Sequence, residues 1–331
     1  ESDYFIFGSL NFPDDHPDDP RTLIPNIEFY ITNVCNIACP QCNRFNNWNF
    51  KGHQIWKDYE AIYEQWATKI RLQRICILGG EPLMNPSIVS WVKGMNKIFK
   101  KKVQILTNGT RLNHVKGLYD SLHFEYKDEN EFDNNWIGVS VHNANDIDRH
   151  FEEGYKFLQG EVTKYDGTRN TNNNATWGAD YALVDENGIR LHYWIENQFT
   201  QAAVQRNPLT ERFELHKSDP QQAHDECSFV HHQCHHFING KLYKCGPVGI
   251  MPEFDDQLKF DISEDDRKIL HSYEPLSVHE FAQRGKQFID NIDEVIDQCK
   301  FCPSNRKPLE TIESLNKKRF STSSFKDVIK E

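Results

Sequence analysis

The chain has 331 residues, 38% hydrophobic and 26% charged, which is enough apolar material for a packed core and excludes wholesale disorder. Lys and Arg total 38 against 49 Asp and Glu, and the net charge of -11 disfavours nucleic-acid phosphate as a partner. No apolar run approaches the roughly 20 residues of a membrane helix, and the acidic start ESDYFIFGSLNFPDDHPDDP lacks the basic-then-apolar order of a secretory signal, so the chain reads as cytoplasmic with no membrane contact.

The first 25 residues are rich in Pro and Asp and read as an arm or cap. NIEFYIT (Asn26–Thr32) then predicts a buried strand that runs straight into a group of cysteines. Helical spacing follows over Asp58–Ile70, a short apolar strand over Arg74–Leu78 closed by GGEP, and a helix over Ser87–Phe99. VQILT (Val103–Thr107) predicts a third strand, stopped by Asn108-Gly109, with a helix over Leu112–Leu122 behind it. WIGVSV (Trp136–Val141) is a fourth strand, followed by a helix over Ile147–Leu158. This alternation over Asn26–Leu158 implies βαβ units on a parallel sheet, with loops at the C-terminal strand ends where α/β barrels place their chemistry.

Farther on, the polar, Asn-rich Thr163–Gly178 reads as a surface loop or insertion, and Ala179–Ile195 as a hairpin turning at Glu186-Asn187-Gly188. Asn207–Gln222 has linker composition, within a boundary drawn at 207–226. From Cys227 the chain is rich in Cys and His, a helix is expected over Val278–Ile296, and residues 306–331 form a polar tail.

There are nine cysteines, an odd number, and a reducing compartment argues against disulfides. CNIACPQC sets Cys35, Cys39 and Cys42 in one loop after a strand. Three thiolates can hold three irons of a [4Fe–4S] cube and leave the fourth iron open for a bidentate ligand. The same spacing also suits structural zinc. Cys76, inside RICIL, reads as a buried core thiol. In CSFVHHQCHHFINGKLYKC, Asn239-Gly240 predicts a type I′ turn, so that Cys245 ends a small hairpin. With CKFC (Cys299 and Cys302) this makes a four-cysteine cage. His231, His232, His235 and His236 crowd the same segment, which keeps zinc open as an alternative and with it a non-catalytic zinc-binding interaction protein. A stretch of partly exposed polar strand is the simpler account of these histidines.

The C-x3-C-x2-C group resembles the radical SAM superfamily, whose open iron binds the amino and carboxyl groups of S-adenosylmethionine. Three more features in chain order carry the resemblance: GGEP (Gly79, Gly80, Glu81, Pro82), TNG (Thr107, Asn108, Gly109) and VSVH with Ser140, each at the end of a successive strand. The resemblance implies a partial (β/α)6 TIM-like barrel over residues 26–206. It also implies that Gly79–Pro82 approach the methionine amino group, that Thr107, Asn108 and Ser140 lie near the cofactor, and that Asn197 contacts the ribose. Many members have an aromatic residue before the third cysteine; here it is Gln41, which leaves Phe45 or Trp48 to face the adenine.

The C-terminal group resembles the auxiliary-cluster extensions called SPASM and twitch domains, and the shorter twitch form fits five cysteines better. Over residues 227–305 this implies a small cysteine-rich domain of β-hairpin plus helix. Its cluster ligands would be Cys227, Cys245, Cys299 and Cys302, with Cys234 as a substitute ligand, a free thiol or a hydrogen-atom donor. The expected cofactors are then S-adenosylmethionine and two [4Fe–4S] clusters. The expected partners are a small-molecule or peptide substrate and an electron donor such as flavodoxin or ferredoxin. The expected reaction is hydrogen abstraction for a two-electron oxidation, with the auxiliary cluster accepting an electron. Peptide or protein modification, including epimerisation, is the alternative.

Overall fold

Every strand expected between residues 26 and 195 forms, and its alternating side chains divide the sheet into two chemically different faces. The computed structural model describes residues 18–37, 39, 41–46, 51–126, 134–166, 179–196, 202–207 and 209–305. In chain order the elements begin with β1 (Thr22–Tyr30), α1 (Trp56–Ala67), β2 (Ile70–Leu78), α2 (Ile88–Phe99), β3 (Val103–Thr107), α3 (Leu118–Ser121), β4 (Trp136–Val141) and α4 (Ile147–Phe157). Strands β5 (Val162–Asp166), β6 (Tyr181–Asp185), β7 (Arg190–Ile195), β8 (Val204–Arg206) and β9 (Phe213–Leu215) follow. The last part holds α5 (Pro220–Asp225), α6 (Ser228–His231), β10 (Cys234–Ile238), β11 (Lys241–Tyr243), α7 (Gly246–Leu258), α8 (Glu264–His271) and α9 (Lys286–Asp290).

One nine-stranded sheet runs in the order β11-β10-β1-β2-β3-β4-β7-β6-β5, and β8 pairs with β9 apart from it. Strands β10, β1, β2, β3, β4 and β7 are mutually parallel and make the partial barrel. Register puts Ile27, Ile75, Val103, Ile137, Leu191 and His235 on one side, where all but the histidine join the core under the helices. Trp56 and Trp91 meet there edge to face at 5.0 Å, and Trp66 meets Phe237 at 5.1 Å. The Trp66 indole N–H donates to Gly240 O at 2.9 Å, which ties α1 to the β10–β11 turn. At that turn Asn239 and Gly240 have φ of 52° and 74°, the pair of positive values that a type I′ turn requires.

The other, inner face carries Glu28, Cys76, Gln104, Trp136, His192 and His236, so the strands are not apolar on both sides. Toward its C-terminal end Tyr30, Leu78 and Ile238 pack with Phe45 and with Met251 and Phe254 of α7.

Several elements depart from the expectation. The C-terminal hairpin does not stand off as a separate small unit; β10 pairs in parallel with β1, with His236 beside Glu28 on the inner face and Phe237 beside Phe29 in the outer core. The segment 207–226 holds β9 and the whole of α5 instead of a plain linker, with Phe213 and Leu215 buried in the second core. Leu112–Leu122 splits into a 3-10 turn at Leu112–His114 and the short α3, separated by Gly117 at φ 77°. The helix expected over Val278–Ile296 is broken into a 3-10 turn, a π-helical turn at Phe281–Gly285, α9 and a second 3-10 turn. Residues 163–166 pair as a strand with β6, and 167–178 lie outside the described residues, as do most of the N-terminal arm (1–17) and the tail 306–331. No helix among the described residues is long and apolar enough to cross a membrane.

Trp66→Ala removes a fully buried indole and its tie to the hairpin turn. Its expected cost is about 3–5 kcal/mol, read as a lower urea midpoint at unchanged m-value.

Candidate metal and cofactor site

The loop after β1 is anchored by main chain before any side chain is considered. Gly80 N–H donates to Thr32 O at 2.8 Å and Glu81 N–H to Val34 O at 2.8 Å, so the GGEP turn is laid directly on the cysteine loop. A Cβ at Gly79 would stand 2.5 Å from Thr32 O, and one at Gly80 would stand 2.4 Å from Val34 O and 3.1 Å from the Cys35 Cβ. Both glycines are therefore required by the cysteine loop itself, a closer constraint than the approach of a cofactor that the motif suggests.

Glu81 is 0% exposed. Its carboxylate accepts from Thr107 Oγ1 at 2.6 Å, from Asn108 N–H at 2.8 Å and from Leu83 N–H at 2.9 Å. Burial pushes its pKa up, partly offset by these three donors. Its oxygens are thus committed to joining the ends of β2 and β3, and what the GGEP turn leaves for an amino group is main chain. Asn108 Nδ2 in turn donates to Asn36 Oδ1 at 2.9 Å, and Asn36 Nδ2 donates to Thr110 Oγ1 at 2.7 Å. Asn36, between the first two cysteines, is a positioning residue that the motif does not announce.

Cys35, Cys39 and Cys42 come together in this loop, each half-buried and unpaired by disulfide. Burial pushes the Cys35 thiol up to about 12, and burial with the neighbouring Cys42 and Cys35 pushes Cys39 well above its ordinary value. Three crowded thiols of this kind become thiolates only against a cation, which is what a ligand set requires. Thiolates sharing one zinc at about 2.3 Å would stand about 3.8 Å from each other. Among the described residues the trio of potential ligands whose donor atoms all lie within 4.8 Å is Glu28, Cys234 and His236, and neither cysteine group is drawn in that tightly.

The second group also assembles. Cys227, Cys245, Cys299 and Cys302 line one small cavity, closed by apolar side chains such as Phe229, Val248 and Met251. Cys245 is the N-cap of α7. Burial, then Cys227 and Cys302, pushes the Cys245 thiol well up. The residues fit a four-thiolate cluster. Cys234 does not join them: it begins β10 opposite Asn26, 1% exposed, and faces Glu28, Arg44 and Cys76, so its role as a substitute ligand is not supported. Cys76 is a buried thiol as expected, and burial pushes it up to about 12.

A buried Arg–Glu ion pair with a histidine beside it lies near the first group. Arg44, two residues after Cys42, pairs with Glu28 of β1, which also holds His236 of β10. Burial alone would push the Glu28 carboxyl up; Arg44 and then His236 more than offset this and hold it below the usual carboxylate range. The guanidinium lies 5.0 Å from the Phe229 ring, and a Cβ at Gly246, next to Cys245, would stand 2.9 Å from His236 Nε2 and 3.6 Å from Arg44 Cζ. The charged residue inside the apolar run NIEFYIT was the sequence signal for this pair, since a buried carboxylate needs partners.

Of the other expected contacts, Ser140 lies buried on the inner face opposite Trp194, while Asn197 and Trp48 fall outside the described residues. Phe45 is not free to meet an adenine: it sits at φ 59° and packs edge to face on Phe254 at 5.7 Å. Gln41, at the position where an aromatic residue is common, accepts from Ala202 N–H at 2.9 Å and from Gln205 Nε2 at 3.0 Å, and so fastens the cysteine loop to the segment after β7. At the rim, His142 Nδ1 lies 3.4 Å from Glu196 O, and the Glu196 carboxylate is one of the charges acting on Cys39.

Residues 29–162 match the family model described as Radical SAM superfamily. The probable GTP 3',8-cyclase of Methanothermobacter marburgensis is 30% identical over 95 residues, covering 29% of this chain and 31% of that protein. The GTP 3',8-cyclase of Petrotoga mobilis is 32% identical over 85 residues, covering 25% of this chain and 26% of its own length. The chain thus spans less than a third of each of these relatives. The crystal structure of Streptococcus suis SuiB bound to S-adenosylmethionine aligns with a TM-score of 0.33 and 20% identity, over 41% of this chain and 31% of that one.

Arg44→Met strands the Glu28 carboxylate, at an expected cost of about 3–5 kcal/mol. Adding Glu28→Gln should return much of that stability, and chemical denaturation of both single variants and the double variant measures the coupling.

Proposed function

Starting from residues 29–162 as a radical SAM domain, we propose that the chain is an enzyme that reductively cleaves S-adenosylmethionine and abstracts a hydrogen atom from its substrate in a two-electron oxidation. The observation that carries this reading is the convergence of Cys35, Cys39 and Cys42 with the GGEP and TNG turns at the same ends of β1, β2 and β3, joined through Glu81. Cys35, Cys39 and Cys42 would hold a [4Fe–4S] cluster, and Cys227, Cys245, Cys299 and Cys302 a second. When bound, the first supplies the electron that splits S-adenosylmethionine into methionine and a hydrogen-abstracting 5′-deoxyadenosyl radical, and the second supplies an acceptor for the electron the substrate radical gives up as it loses a proton.

The protein's own part is positional. The Glu81 hub sets the two turns, Gln41 fastens the rim of the cysteine loop, and Phe45 packs on Phe254 of α7. Four thiolates at the second site leave no ligand position for a substrate, which supports the acceptor role over substrate binding. A small reductase-type donor such as flavodoxin or ferredoxin would supply the electron. GTP is not carried over from the cyclases, because the matched stretches are under 100 residues and cover less than a third of either chain.

Changing Cys35, Cys39 and Cys42 together to Ala should halve the iron of the anaerobically reconstituted protein and abolish 5′-deoxyadenosine formation. Full loss of iron in that variant would remove the second cluster from the account, and undiminished 5′-deoxyadenosine would remove the first.

A further inference from the structure

Lys244 is 6% exposed, an unusual place for an ammonium group. It immediately precedes Cys245 and lines the same cavity as Cys227, Cys245, Cys299 and Cys302. Its Nζ donates to Ile292 O and Glu294 O, the carbonyls of the chain that leads into Cys299 and Cys302, and its N–H donates to Tyr273 Oη at 3.0 Å. The side chain is therefore fixed from both ends and cannot swing to solvent. Burying a charge with no counter-charge costs several kcal/mol, and two neutral carbonyls do not neutralise it. Burial pushes the ammonium pKa down, and the groups that oppose this are the sulfurs of Cys245, Cys299 and Cys227 lining the same cavity and, after them, the Asp293 carboxylate.

We propose that Lys244 is the charge partner of the C-terminal cluster, a positioning residue that holds the reduction potential of that cluster up. This rests on the four-cysteine site proposed above. A four-thiolate cluster is anionic and gains one more negative charge on reduction, so a fixed cation stabilises the reduced form more than the oxidised one. The apolar lining keeps the local dielectric low and magnifies the effect. A cluster tuned this way takes an electron more readily than it gives one.

The test is an EPR-monitored redox titration of the reconstituted full chain, with iron counted first. Lys244→Met drops the charge, Lys244→Gln drops it while keeping a donor for the two carbonyls, and Lys244→Arg keeps it. In both uncharged variants the one-electron reduction equilibrium of the C-terminal cluster should fall at least tenfold, about 59 mV for a one-electron couple, with the N-terminal cluster unmoved and Lys244→Arg close to wild type. An unchanged potential in an iron-replete uncharged variant overturns the proposal. Loss of the second cluster in Lys244→Met and Lys244→Gln with retention in Lys244→Arg supports it, and loss in all three overturns it in favour of a purely structural lysine. Iron for one cluster in the wild-type chain would instead refute the four-cysteine site.

Discussion

The arrangement depends on one buried carboxylate. Glu81 sits where β2 ends, with no solvent to satisfy it, and takes donors from its own turn and from the end of β3. The N–H groups of Gly80 and of Glu81 itself are bonded to the cysteine loop at the end of β1. Three strand ends are thereby locked to one another within the span of a few residues. A loop that must hold three thiolates at fixed separation needs such a base, since side chains that ligate a metal are useful only in one geometry.

Beneath that base, the sheet separates stability from chemistry. The outer face is aromatic and aliphatic and carries most of the core under α1, α2 and α4. The inner face places Glu28, Gln104, His192 and His236 where an all-apolar barrel would have aliphatic side chains. Because β10 belongs to this sheet, the hairpin that ends at Cys245 is docked on the strand leading to the first cysteine group through backbone hydrogen bonds, and the Arg44–Glu28 ion pair, with His236 against it, fills the join. The separation between the two cysteine groups is consequently a property of the core and not of a linker.

Much of this was legible in the residues. VQILT and WIGVSV gave their strand limits to the residue, and Asn239-Gly240 gave its turn, because these signals are local. The two cysteine groupings were also legible from spacing. What was not legible depends on contacts far apart in sequence: that CHHFI would pair with NIEFY across more than 200 residues, and that Gln41 would meet Ala202 and Gln205. The helix α7 was hidden by Gly246, Pro247 and an internal Pro252, residues that ordinarily oppose a helix, and is held by burial of Ile250, Met251 and Phe254. The α8 helix had an available signal, Ser263 ahead of Glu264, Asp265 and Asp266, a capping residue with an acidic first turn. Lys244 carried no motif; its importance comes from being shut in with four sulfurs.

The most direct measurement of the central claim is the EPR spectrum of the anaerobically reconstituted, reduced protein recorded with and without S-adenosylmethionine. Signals from two [4Fe–4S] clusters are expected, of which the one held by Cys35, Cys39 and Cys42 changes when S-adenosylmethionine binds while the other does not. A colourless, EPR-silent protein that holds zinc, or two clusters both indifferent to S-adenosylmethionine, would contradict it.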